Sequence, residues 1–158
     1  MRDGREGAMR RTAIVLAMTL AASCGGAMVD GTKDLSKFTG AAWSGSLTTT
    51  VTCAGPVAPL LQTDPATFSL SAGSAADLQF TNPQGCVFQF NVTGDTAALA
   101  NGPVSCQMTV DGFSVAATVA TFTLTTSDGK SLALNAKGTG TAGGLPVCPA
   151  TVAGTLTR

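Results

Sequence analysis

The sequence predicts an all-β fold: a single eight-stranded antiparallel up-and-down barrel over residues 41–158, with a β-sandwich of the same strands as the alternative. Three observations carry this reading. From Trp43 onward apolar and polar residues alternate with a period of two, and no helical stripe appears. Turn residues between the alternating runs set apolar residues opposite one another on a common face. The first and last strands complement each other, large residues against small, so the sheet can close on itself and lose its edges.

The first strand, 43–53, places Trp43, Gly45, Leu47, Thr49, Val51 and Cys53 on one face, and the hydroxyls of Ser44, Ser46, Thr48, Thr50 and Thr52 on the other. The remaining strands are expected at 66–71, 76–82, 86–93, 96–110, 113–126, 130–138 and 147–157. Asn82-Pro83-Gln84-Gly85 has Pro at the second turn position and Gly where φ must be positive, which sets Phe80 opposite Phe88 and Leu78 opposite Phe90. Asp111-Gly112 is a two-residue hairpin turn that sets Met108 opposite Val115 and Cys106 opposite Ala117. Ser127-Asp128-Gly129 is expected to pair Leu124 with Leu132 and Phe122 with Leu134, and Gly94-Asp95 makes a further turn. Apolar parity switches from Leu99 to Val104, which makes Asn101-Gly102-Pro103 a bulge, and a second switch falls between Val119 and Phe122.

The last strand carries Cys148, Ala150, Val152, Gly154 and Leu156 on one face. Set antiparallel to the first with partner numbers summing to 201, it brings Cys53 to Cys148, Leu47 to Gly154, Gly45 to Leu156 and Trp43 to Arg158. A membrane-spanning barrel would turn its apolar face to lipid and its polar face inward. Here the apolar face carries Trp, Phe, Leu and Cys, too bulky for a water-filled lumen, so the hydroxyl face is expected to meet water.

Charged residues make up only 11% of the chain, 9 basic and 9 acidic, with no His and no Tyr. Past Cys24 there are seven Asp against four Lys and one Arg, a net charge of −2. No basic groove for nucleic acid can be built from these. The lack of His removes most general-base and metal chemistry.

Residues 1–24 read as an export signal. Arg10 and Arg11 form a basic n-region, Thr12 to Ala22 an uncharged h-region of eleven residues, and small residues follow. That stretch is shorter than the ~20 apolar residues of a membrane span. Met9-Arg10-Arg11 is a more ordinary beginning than Met1, which brings in Asp3 and Glu6. The segment Leu20-Ala21-Ala22-Ser23-Cys24 resembles the lipobox of bacterial lipoproteins, with Leu20 one place further upstream than that family favours. The resemblance implies cleavage before Cys24, lipidation of that cysteine, and a lipid anchor in the cell envelope. Gly25 after the cysteine implies sorting to the outer membrane. The competing reading is a plain cleavable signal in which Cys24 is discarded. Residues 25–40 lack periodicity and are expected to form a flexible tether.

Five cysteines is an odd count, and setting Cys24 aside leaves Cys53, Cys86, Cys106 and Cys148, an even set suited to an oxidising compartment. Strand adjacency favours Cys53–Cys148 and Cys86–Cys106, with the two other pairings open. The four lack the close spacing of a Cys₄ metal site or a redox C-x-x-C pair. Asp77, Asp95, Asp111 and Asp128 stand in or beside turns, where side chains bond local backbone rather than converging on calcium. No metal, cofactor or catalytic group is therefore expected, and Ser and Thr on strands have nothing to activate them as nucleophiles. Trp43 entering the first strand, reached by Arg158 from the last, resembles the closed end of lipocalin-type barrels, although Gly40-Ala41-Ala42-Trp43 has one residue more than that family's Gly-x-Trp. The resemblance implies a cup for a small apolar molecule. The plainer reading is a cation–π contact sealing a filled core. Two uses follow: a non-catalytic envelope lipoprotein whose domain is a structural or protein-interaction module, or a carrier of a small hydrophobic ligand.

Overall fold

The computed structural model describes residues 33–55, 58–110, 113–142 and 147–158. They form one 3-10 turn, Leu35–Lys37, and ten strands: β1 (Trp43–Val51), β2 (Leu60–Phe68), β3 (Ser71–Ala72), β4 (Leu78–Thr81), β5 (Val87–Thr93), β6 (Thr96–Leu99), β7 (Val104–Val110), β8 (Phe113–Thr125), β9 (Ser131–Ala142) and β10 (Cys148–Thr157). All ten belong to one antiparallel sheet ordered β2-β1-β10-β9-β8-β6-β5-β4-β3, with β7 pairing β8. The sheet curls into a half-barrel whose concave face holds the core.

The alternation in the sequence explains which faces are buried. In β5 the pattern of exposure changes at every residue, with Phe88, Phe90 and Val92 inward. The Asn82–Cys86 turn is held by its own side chain: Asn82 Oδ1 accepts from the amides of Gln84 and Cys86 at 3.1 and 2.8 Å, and Gly85 takes a φ of 84°. Phe80 therefore faces Phe88 and Leu78 faces Phe90 across β4 and β5. β1 and β10 pair with partner numbers summing to 201 throughout, from Ser44↔Thr157 to Val51↔Ala150. Large-to-small matching is strict here. A Cβ on Gly154 would lie 2.3 Å from the Ser46 carbonyl oxygen and 2.9 Å from Leu47 Cδ2, and one on Gly45 would lie 2.6 Å from the Thr155 carbonyl oxygen. A register shift between Val119 and Thr121 marks a bulge in β8 where the parity changes.

Several expectations need correction. The barrel does not close with eight strands: β2 and β3 end the hydrogen-bonded order, and the chain passes between them through Ser69 and Leu70 without doubling back into a hairpin. Side chains bridge that seam instead, with Phe68 and Phe80 rings 4.9 Å apart and Leu70 buried. Nor do the described strands divide into the two sheets of a sandwich. The expected strand 96–110 is split into β6 and β7 because Ala100–Pro103 holds two residues more than β8 has opposite them. β2 begins at Leu60 rather than 66; Pro65 lies within it, tolerated because β1 is its one strand neighbour among the described residues. Leu124 faces Leu134 and Phe122 faces Ala136, two residues from the expected register. Thr126 belongs to the loop: its Oγ1 accepts from the Gly129 amide at 3.0 Å, so the connection to β9 runs from Thr126 to Lys130 and is two residues longer than Ser127–Gly129. A slip of two keeps each side chain on its face, so the apolar pattern is blind to it. The Asp111-Gly112 turn lies outside the described residues, but its flanks pair as expected, Met108↔Val115 and Cys106↔Ala117.

The stretch expected to be a tether is described from Lys33 on, and there it is part of the fold. Asp34 caps the 3-10 turn by accepting from the Ser36 amide at 3.2 Å, and Phe38 is fully buried in the core.

Candidate functional site

The concave face has two halves. One is sealed. Trp43 is fully buried and its Nε1 donates to the Phe38 carbonyl oxygen at 2.8 Å. The Arg158 guanidinium lies 4.3 Å from the centroid of the Trp43 ring. It donates from Nε to the Gly129 carbonyl oxygen at 2.6 Å, from Nη2 to those of Ser36 and Lys37 at 3.0 and 3.1 Å, and from Nη1 to that of Thr39. Above this floor the aromatic rings of Phe68, Phe80, Phe88, Phe122 and Phe90 touch in succession, 4.9–5.8 Å apart. The Trp43–Arg158 pair thus stands over filled core rather than at the base of a cup.

The other half is open. Beyond the bulge at β8 the inward residues shrink, and the sheet leaves an apolar trough of about 600 Å³. Its floor is Val51 of β1, Ala150 and Val152 of β10, Ala136 of β9, and Ala117 and Val119 of β8. Leu60, Gln62 and Asp64 of β2 form one wall. These three share the concave face because they stand opposite Val51, Thr49 and Leu47. The Cys53–Cys148 disulfide, with Cα atoms 4.5 Å apart, lies at the end of the trough furthest from Trp43. A second disulfide, Cys86–Cys106, ties the start of β5 to β7. Gly140 also lines the trough, and a Cβ there would meet only Val115 Cγ1 at 3.5 Å.

The aspartates are divided among different tasks. Asp77 is no mere turn former: its carboxylate accepts from the Val92 amide at 2.7 Å, fifteen residues on, and from Lys33 Nζ at 3.0 Å. The amide bond first, and Lys33 second, hold its pKa below the ordinary value. Asp95 receives Lys37 Nζ at 2.6 Å, the bond that chiefly raises the lysine's pKa. Asp128 does cap its own turn, accepting from the amides of Ser131 and Lys130, and these lower its pKa. Asp34 is lowered mainly by the Ser36 hydroxyl. Cys24 and Asp111 lie outside the described residues. Among those described, no three His, Cys, Asp or Glu come together as metal ligands, and no helix is long and apolar enough to cross a membrane.

The β2 wall is the part of the trough that the sequence reading missed. Leu60-Leu61-Gln62-Thr63-Asp64-Pro65 alternates poorly and contains Pro. Counting back by twos from Phe68 through Ala66 was the available signal for which of its residues face inward. No protein-family model, no curated protein and no solved structure matches this chain.

Proposed function

We propose that this protein is an exported, non-catalytic lipoprotein of the bacterial cell envelope, anchored through Cys24 and sorted to the outer membrane, whose half-barrel carries a small apolar molecule. The observation behind the carrier reading is the trough: about 600 Å³, carbon-lined and open at one side, within the ~300–1,000 Å³ of small-molecule sites. Among the described residues the second half of the concave face is left unfilled, where a domain serving only as a scaffold would gain packing energy by filling it. The two disulfides suit a non-reducing compartment. A second reading, a protein-interaction module, is favoured by β2: its outer edge has no strand partner among the described residues, and Leu60 and Leu61 are 61% and 68% exposed.

Two experiments test this reading. Cells fed a fatty-acid analogue are expected to label the wild-type chain and not a Cys24→Ala variant; equal labelling of both rejects the anchor. Organic-solvent extraction of protein purified from its native envelope is expected to release a bound apolar compound. An empty extract, with binding of partner proteins lost on shortening β2, favours the interaction module.

A further inference from the structure

We propose that the trough takes a single-chain amphiphile with a cationic headgroup, its alkyl chain on the small apolar residues of β1, β8, β9 and β10 and its head against Asp64. This rests on the carrier reading and adds the class of ligand. The described aspartates differ in how their charge is met. Asp77 and Asp95 each face a lysine, and Asp34 and Asp128 each accept from backbone amides. Asp64 is bonded only by a neutral side-chain amide, Gln62 Nε2 at 3.1 Å. Its charge is therefore unmatched by any cation or backbone donor among the described residues.

Among the described residues Asp64 is also the one ionisable residue that strand register places on the concave face along the trough. The inward rows of β1, β8, β9 and β10 contain none. Lys137 borders the trough from β9, but its register partners are Thr121 and Thr151, of the convex face. Two strands separate β9 from β2, so the strands themselves lie about 14 Å apart at ~4.8 Å per strand. That exceeds the ~8–10 Å over which exposed charges act at ordinary salt. From Asp64, level with Leu47, to the Cys53 end the trough runs six residues along β1 and the extended chain just past it, roughly 20 Å. An extended alkyl chain has that shape, whereas a second charge of either sign would have to be buried on carbon.

The test uses the full chain carrying Cys24→Ser, with disulfides intact, so that no attached lipid competes. Dodecyltrimethylammonium, dodecyl maltoside and dodecyl sulfate are titrated calorimetrically below their micelle concentrations. The same titrations are run on Asp64→Asn and on Gly140→Leu, each first shown to keep its thermal transition. The expected result is that the ammonium binds more tightly than the sulfate. Asp64→Asn should weaken ammonium binding about three- to fivefold, as expected for an exposed pair, and leave the maltoside unchanged. Gly140→Leu, which fills the trough, should weaken all three. If Gly140→Leu weakens all three but Asp64→Asn leaves the ammonium unchanged, or the sulfate binds best, the headgroup assignment is overturned and the carrier reading stands. If Gly140→Leu changes none of them, the carrier reading itself fails.

Discussion

Arg158, directly after β10, gathers the sealed end: one guanidinium covers the Trp43 ring and donates to four carbonyl oxygens from two separate segments. Replacing it with Ala removes a cation–π contact and leaves those carbonyls to water, a loss of about 1–3 kcal/mol. The midpoint of denaturant unfolding should fall accordingly, and Arg158→Lys should recover only part, because an ammonium cannot span the fork of acceptors. Asp77 makes a pH-dependent contribution. Its folded pKa lies below the ordinary aspartate value of 3.8, so its stabilising effect is fully present above that value and is lost as pH falls through the folded pKa. Stability of the wild type should therefore drop below about pH 4 more steeply than that of Asp77→Asn, measured by urea unfolding across the acid range. Parallel curves would show that the Val92 amide bond does not act as described. The pairing of Asp77 with Val92 was not legible in the chain, since nothing local links a residue beside a turn to an amide fifteen positions away.

At the scale of elements, the two disulfides differ in what they close. Cys53–Cys148 spans 95 residues and joins the first strand to the last, whereas Cys86–Cys106 spans 20. In the chain-entropy model these loops are worth about 4.7 and 3.3 kcal/mol. Paired Ser substitutions should thus destabilise more at Cys53 and Cys148 than at Cys86 and Cys106, read as the shift in unfolding free energy for each double variant. The reverse order would mean that native-state packing, not loop closure, sets their worth. The first pairing follows from the 201 register, which is legible because Gly45, Leu47, Gly154 and Leu156 fit in one way only. The β8–β9 register lies two residues from the one that the alternation and the Ser127–Gly129 turn predict, because a shift by an even number leaves every face unchanged and the longer loop, closed by the Gly129 amide on Thr126 Oγ1, decides between the two.

For the whole molecule the sealed and open halves should respond independently. Trp43 is the chain's one tryptophan and is fully buried at the sealed end. It lies eight residues along β1 from Val51, or about 26 Å. An apolar ligand in the trough should raise the thermal midpoint while leaving the emission maximum of Trp43 where it is; a shift on binding would place the ligand in the aromatic core. The chain alone carries the all-β class, the inward and outward faces, several turns, and the pairing of first strand with last, because each is a property of alternation, turn chemistry or a pair of strands. Closure and filling belong to the tertiary structure. Whether β2 meets β3, and whether inward side chains occupy the space they enclose, depends on volumes summed over every strand at once. Six phenylalanines and Trp43 fill one half of the concave face, while among the described residues Ala, Gly and Val leave the other open.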